Sequence, residues 1–245
     1  MSGWWLLLLV LVRGIVVDVC IVGDSTLQMF SPAWLACEHS SQMPCSFETI
    51  DSGIYFVQEY KGRIYNRETK LARSTHTNCT VLFADFHVFG WLLAVRKFWS
   101  DRGQDVVCHR TITNYHHHAA TYFTRPRTAE STRRMMDEAQ DSIRQILGSM
   151  EPLAWLLPTL PTDNDPKFPQ TIRGVTETSI LMSASGAETI ATLQLLSARL
   201  QQNDIKIFTD RLHFSRARML NDSFTVLAVQ SLLASEFQRC AARQR

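Results

Sequence analysis

A nearly unbroken apolar run, Ile15 to Val22 (IVVDVCIV), constrains the fold more than any other segment, and it stops at Gly23-Asp24-Ser25. Its branched side chains favour a strand, and a strand this apolar is typical of the centre of a parallel sheet, where both faces are covered. Thr26 to Leu35 then predicts the start of a helix whose length Pro32 limits. The sequence therefore predicts a strand that delivers a Gly-Asp-Ser turn to one edge of a parallel sheet.

The rest of the chain alternates between strand and helix patterns. Strands are predicted over Gly53–Tyr60, Thr80–Phe83, Leu153–Leu157 and Ile205–Phe208, and helices over Thr128–Ser149, from a Ser185–Glu188 capping box onward, and over about Asp222–Phe237. Strands that alternate with amphipathic helices form a parallel sheet covered on both faces. We therefore expect an α/β fold, a three-layer sandwich with a central, mainly parallel sheet, as one domain over residues 15–245.

The composition excludes several classes of protein. Hydrophobic residues make up 45% of the chain and charged residues 20%, which excludes a disordered chain and a polytopic membrane protein. The formal net charge of +2 is too small to predict nucleic-acid binding. What remains is a globular chain that is long enough to bury a core.

The N-terminus carries an apolar run over Trp4–Val12, which ends at Arg13 and Gly14. The run is too short to span a bilayer and predicts a signal peptide over residues 1–14, and thus a secreted or lumenal protein. Two glycosylation sequons, at Asn78 and Asn221, fit that route. A buried first strand or helix of a cytoplasmic protein is the alternative interpretation.

Six cysteines occur, and none of them forms a Cys-x-x-Cys pair, which disfavours zinc-ribbon and thioredoxin-like motifs. Cys37 and Cys45 bracket a short loop and are expected to form a local disulfide. A second disulfide is expected between Cys79 and Cys108. Cys20 lies within the first strand and is expected to be a small buried apolar residue.

Ser25 is the sharpest candidate for chemistry. A serine between a strand and a helix lies beside free backbone N–H groups, which stabilise developing negative charge. The alternative is that Ser25 or Asp24 only caps the helix. Asp210 and His213 lie three residues apart late in the chain, a spacing at which a carboxylate holds one imidazole nitrogen while the other faces a nucleophile.

Gly23-Asp24-Ser25 and Asp210-Arg211-Leu212-His213 together resemble the first and last motifs of the SGNH (GDSL-like) hydrolase superfamily, a group with flavodoxin-like folds. The runs GDSTLQMF and FTDRLHF are most similar to its PC-esterase, trichome-birefringence-like and NXPE branch. The resemblance implies a serine esterase or O-acyltransferase for acyl, often acetyl, esters on carbohydrate or small molecules. It implies Ser25 as nucleophile, His213 as general acid and base, and Asp210 as its orienting partner, with no metal or organic cofactor.

The resemblance also implies an oxyanion hole, but the sequence matches the family's oxyanion-hole motifs less well than it matches the motifs of Ser25 and His213. Its candidates are Ser25, Gln28, Gly53 and His87, where Gln28 replaces the Arg or Asn that this branch usually carries. The Asn expected after the third strand is replaced by Ala84-Asp85-Phe86-His87. These departures leave open a catalytically inactive module that binds glycan or protein.

Tyr115-His116-His117-His118 invites a metal hypothesis. Adjacent histidines point in different directions, however, and no carboxylate at ligand spacing completes a site. We therefore predict a solvated loop and no metal centre there.

Overall fold

The structure is a computed structural model that describes residues 14–24, 27, 34, 36–40, 42–60, 62–115, 128–157, 159, 168–202 and 221–245. Seven strands and five helices lie within these residues. They are β1 (Gly14–Gly23), β2 (Phe47–Tyr60), β3 (Arg63–Ser74), β4 (Thr80–Asp85), α1 (Phe89–Ser100), β5 (Asp105–Thr113), α2 (Ala129–Leu147), β6 (Ala154–Leu156), α3 (Phe168–Ala184), β7 (Thr189–Ile190), α4 (Thr192–Gln202) and α5 (Ser223–Gln244).

The strands form one sheet in the order β2-β3-β4-β1-β5-β6-β7. Strands β4, β1, β5, β6 and β7 run parallel, and the β2–β3 hairpin adds two antiparallel strands at one edge. β1 lies at the centre of the sheet, between β4 and β5. The expected α/β fold with a mainly parallel sheet is therefore confirmed, and the apolar run over residues 15–22 is its central strand.

Alternate side chains of β1 enter two cores on opposite faces of the sheet. Val19 and Ile21 pack with buried residues of α5, including Phe237. Cys20 and Val22 pack on the other side with buried residues of α1 and α2. Helices thus cover both faces of the sheet, which explains why β1 is apolar on both sides.

Several predicted elements have different bounds. The predicted strand from Gly53 is the second half of the longer β2, and β3 was not predicted. The predicted helix from Thr128 is confirmed as α2, whose first turn Thr128 caps. The closing helix is confirmed as α5, capped by Asp222. Apart from Leu27 and Trp34, the predicted helix after Ser25 lies outside the described residues, as does the whole of the predicted strand over 205–208.

The predicted capping box at Ser185 and Glu188 is wrong. Ser185 lies in a turn after α3, where its hydroxyl donates a 2.6 Å hydrogen bond to the Met182 carbonyl. Glu188 precedes β7 and binds the guanidinium of Arg110 instead of a helix N–H. The next helix, α4, begins four residues later, at Thr192.

Three disulfides are present, and they use all six cysteines. The expected pair Cys37–Cys45 is confirmed. The expected pair of Cys79 with Cys108 is wrong, because Cys79 binds Cys240 and Cys108 binds Cys20. Cys20 is buried, as expected, but it is not a free thiol. Three disulfides indicate that the chain folds in an oxidising compartment.

The predicted signal peptide lies almost entirely in residues 1–13, which are outside the described residues, and it stays a prediction. β1 begins at Gly14. None of the helices in the described ranges is both long and apolar enough to cross a membrane.

Candidate active site

Three parallel strands, β4, β1 and β5, end side by side, so that their carboxyl ends form one edge of the sheet. Gly23 at the end of β1 is in register with Asp85 at the end of β4. Val22 is in register with Thr113, the last residue of β5. The residues that follow these strands therefore meet at this edge, which is where ligands bind in open α/β sheets.

Asp24 and Asn114 join the ends of β1 and β5. The backbone N–H of Asp24 donates a 2.8 Å hydrogen bond to Asn114 Oδ1, and Asn114 Nδ2 donates a 2.8 Å bond to Asp24 Oδ1. Both residues are buried, with 1% and 0% of their surface exposed. Breaking this reciprocal pair would leave buried polar groups without hydrogen bonds, which costs free energy. The pair therefore fixes the backbone directly before Ser25.

Only glycine fits at position 23. A Cβ atom on Gly23 would lie 1.9 Å from Asn114 Oδ1 and 2.9 Å from Leu27 Cδ2. The Gly23 carbonyl accepts a 2.6 Å hydrogen bond from the Phe86 N–H, and the Asp24 carbonyl accepts a 3.0 Å bond from the Leu27 N–H. The first two residues of the Gly-Asp-Ser motif are thus held from β4, from β5 and from the chain that follows.

Asp85 at the end of β4 belongs to a separate buried cluster. Its carboxylate accepts a 2.6 Å hydrogen bond from Arg67, and its backbone and side-chain oxygens accept bonds from the Tyr55 hydroxyl. Burial raises the pKa of the Asp85 carboxyl, and the Arg67 charge opposes that rise. Burial and the neighbouring Asp85 raise the pKa of the Tyr55 hydroxyl. Arg67 therefore balances the negative charge of the buried Asp85 carboxylate.

The predicted catalytic residues Ser25, Asp210 and His213, together with Gln28, lie outside the described residues. Their roles stay predictions. The structure describes the residues that come immediately before Ser25 in the chain, and the ends of β4 and β5 beside them.

The two described oxyanion candidates lie in different places. Gly53 is in register with Thr69, which is in register with Ala84, so it lies three strands away from β1. At the usual spacing between strands this is roughly 14 Å, and the structure does not bring Gly53 to the turn. Its missing side chain makes room for the Phe98 ring of α1. His87 follows β4 at the same edge as Asp24, and its ring stacks on Trp91 with centroids 4.9 Å apart.

Asn114 is the site residue that the sequence analysis missed. The segment before it (VVCHRTIT) is rich in branched residues, which favours a strand, and it is β5. The sequence-based prediction takes Thr80–Phe83 as the third strand and expects the Asn after it. Because the β2–β3 hairpin is antiparallel, that segment is the second parallel strand in chain order, and β5 is the third.

Among the described residues, one group has the spacing of metal ligands, namely Asp18, Cys79 and Cys240. Both of its sulfur atoms belong to the Cys79–Cys240 disulfide, so neither is a thiolate ligand. The three consecutive histidines at 116–118 lie outside the described residues.

No family model matches this chain, and no curated protein matches it. Solved structures with a similar fold include the C-terminal catalytic domain of Streptococcus pneumoniae peptidoglycan O-acetyltransferase A with a methylsulfonyl adduct, at 11% identity and a TM-score of 0.39 over 93% of each chain. They also include LAE5, an alpha/beta hydrolase enzyme from the metagenome of Lake Arreo in Spain, at 11% identity and a TM-score of 0.36, covering 89% of this chain and 96% of the other. At this identity neither neighbour assigns an activity to the chain.

Proposed function

We propose that the chain is a serine-dependent esterase or O-acyltransferase that acts on acyl esters of carbohydrates or small molecules. The observation that carries the proposal is the Gly23-Asp24 turn, which is buried, sterically tight and bonded to Asn114 at the carboxyl end of the central strand. This constrained turn comes directly before Ser25 in the chain. Catalytic groups need such rigid support to act on a bound substrate.

The proposed reaction proceeds in two steps. The Ser25 hydroxyl oxygen attacks the ester carbonyl carbon while His213 takes the hydroxyl proton, and the alcohol leaves with that proton as the acyl–serine ester forms. Water or an acceptor hydroxyl then attacks the acyl carbon and gives its proton to His213. His213 returns the proton to the Ser25 oxygen, and Asp210 orients the imidazole throughout.

A covalent probe for serine hydrolases tests the nucleophile. Ser25→Ala is expected to abolish labelling by a fluorophosphonate and to lower the turnover of acetyl esters by at least about 10³-fold, because no other group forms the acyl intermediate. Ser183→Ala, at an exposed serine of α3, is the control and is expected to keep both properties. Unchanged labelling of Ser25→Ala would refute the assignment.

We further propose that the chain enters the secretory route through the apolar segment over residues 1–14. The three disulfides and the exposed side chains of both sequon asparagines, Asn78 and Asn221, support this proposal. Digestion with a peptide N-glycosidase is expected to lower the apparent mass of protein from eukaryotic cells. Asn78→Gln with Asn221→Gln is expected to remove that shift, and an unprocessed Met1 would contradict the route.

A further inference from the structure

A cavity of about 180 Å³ opens beside the carboxyl end of β1. Apolar side chains form most of its lining: Ile21, Leu27, Trp34, Phe47, Phe83 and Ala84. It lies on the sheet face that α5 covers, opposite to the face of α1 and α2.

The cavity adjoins the Gly23-Asp24 turn. Ile21, in its lining, precedes Gly23 by two residues, which is about 7 Å along a strand. Leu27 also lines the cavity, and its backbone N–H binds the Asp24 carbonyl. Residues on both sides of Ser25 in the chain therefore contribute to the same cavity.

The walls of the cavity are held in place by contacts of their own. The Phe83 ring lies 5.2 Å from the Trp34 ring and 5.9 Å from the Phe47 ring, measured between centroids. Trp34 Nε1 donates a 3.3 Å hydrogen bond to the Val229 carbonyl of α5. Such a preformed apolar pocket binds an apolar group without first having to order its own side chains.

Three charged residues line the cavity: the exposed Glu68, and Lys70 and Asp85, which are paired with residues of opposite charge. Lys70 forms a 3.0 Å ion pair with Glu38, which also accepts a hydrogen bond from Thr49. Asp85 forms a 2.6 Å ion pair with Arg67. The mainly apolar lining therefore favours an apolar occupant, and the carboxylate of Glu68 disfavours an anion.

We infer that this cavity receives the acyl chain of the ester, and that it accepts an aromatic ring or a chain of about six carbons. An apolar protein cavity of ~150 Å³ binds benzene, so an acetyl methyl group would leave most of the space empty. The inference rests on the proposed function, because it takes Ser25 as the nucleophile. The inferred preferred acyl group is therefore larger and more apolar than the acetyl group that the family resemblance implies.

Two series of esters test the inference on the full chain. With p-nitrophenyl esters from acetate to hexanoate, kcat/KM is expected to rise about 4-fold per methylene, or roughly 250-fold in total, because each buried methylene contributes about 0.8 kcal/mol. With acetyl esters of alcohols of increasing length, kcat/KM is expected to stay within about 4-fold. A rise in the alcohol series instead would place the leaving group in the cavity and overturn the inference.

A pair of variants ties the chain-length profile to this cavity. Phe83→Ala enlarges the cavity and is expected to move the preferred acyl length beyond hexanoate, to about octanoate or decanoate. Phe98→Ala removes a matched ring from the opposite face, where it packs on Gly53, and is expected to keep the profile of the parent chain. If both variants shift the profile alike, the effect is one of stability and the inference fails.

The failures of the two proposals are distinguishable. A chain that is labelled at Ser25 and hydrolyses acetate and hexanoate equally well retains the proposed function and overturns the acyl cavity. A chain that is not labelled and turns over no ester overturns both.

Discussion

Arg110, within β5, and Asn114, directly after it, are both buried polar residues, but they bind different parts of the molecule. Arg110 carries a charge and binds Glu188 and Glu236, each at 2.7 Å, with 2% of its side chain exposed. Asn114 is neutral and exchanges two hydrogen bonds with Asp24. The charged residue joins β5 to α5 and to the segment before β7, whereas the neutral one binds the turn after β1.

The difference separates support of the fold from support of the site. A buried guanidinium needs several carboxylates, and these come from distant elements, so the Arg110 cluster cross-links the domain. The Asn114–Asp24 pair instead orders the backbone directly before Ser25. We therefore expect changes at Arg110 to act on the free energy of unfolding, and changes at Asn114 to act mainly on catalysis.

The largest expected effect is that of Arg110→Met. It leaves the Glu236 carboxylate, which is 3% exposed, without its main partner, and removing one member of a buried pair costs about 3–5 kcal/mol of unfolding free energy. Denaturant unfolding measures the loss. The turnover per folded molecule is expected to stay close to that of the parent chain.

Arg110→Met combined with Glu236→Leu is the matched control. Replacing a whole buried ion pair by apolar residues of similar volume is often neutral, so the double variant is expected to regain most of the lost stability. If the double variant is less stable than Arg110→Met, the two residues contribute separately and the cross-linking role is wrong. If Arg110→Met lowered the turnover without changing the free energy of unfolding, Arg110 would support the site in the way proposed for Asn114, and the distinction between the two residues would be wrong.

The next largest effect is expected at the turn. Asn114→Ala removes both hydrogen bonds to Asp24 and is expected to cost about 1–3 kcal/mol of stability. A displacement of about 1 Å at a reacting group costs around 100-fold in rate, and we expect a fall in kcat of that order. Fluorophosphonate labelling rates and kcat for an ester measure the effect.

A double-variant cycle with Gly23→Ala sharpens this prediction. A methyl group at position 23 meets Asn114 Oδ1, so Gly23→Ala is expected to cost roughly 1–3 kcal/mol in the parent chain. It is expected to cost clearly less in the Asn114→Ala background, where that oxygen is gone. Additive costs would show that Leu27, and not Asn114, sets the requirement for glycine.

The parts of the fold that local pattern determines were predictable. Apolar periodicity or a capping residue identifies β1, α2 and α5 in the sequence. The Cys37–Cys45 disulfide joins cysteines that are only eight residues apart. The unpredicted β3 is half exposed and carries charged residues along its length, because it lies near the edge of the sheet. Its sequence therefore shows little of the apolar pattern of a central strand.

The contacts that assemble the site were not predictable in the same way. Asn114 meets Asp24 across 90 residues of sequence, and Arg110 meets Glu236 across 126. Cys79 and Cys240 are 161 residues apart. Such pairs depend on which strands become neighbours, and a single sequence does not encode strand order in any local pattern.

The smallest expected effect is the pH dependence of the Arg110 cluster. The hydrogen bond from Arg110 holds the pKa of Glu188 below its ordinary value of 4.5. Burial raises this pKa, whereas the charges of Arg110 and Arg239 lower it further. A lowered pKa in the folded state means that the contribution of Glu188 to stability is complete above about pH 4.5 and is lost as the pH falls through the folded-state pKa.

The difference in unfolding free energy between the parent chain and Glu188→Gln measures this contribution. Since the Glu188 side chain is 38% exposed, we expect at most about 1 kcal/mol near pH 7, and less as the pH falls below 4.5 through the folded-state pKa of Glu188. Other carboxylates titrate in both proteins and largely cancel in the difference. A difference of the same size at every pH would mean that Glu188 does not contribute through its charge.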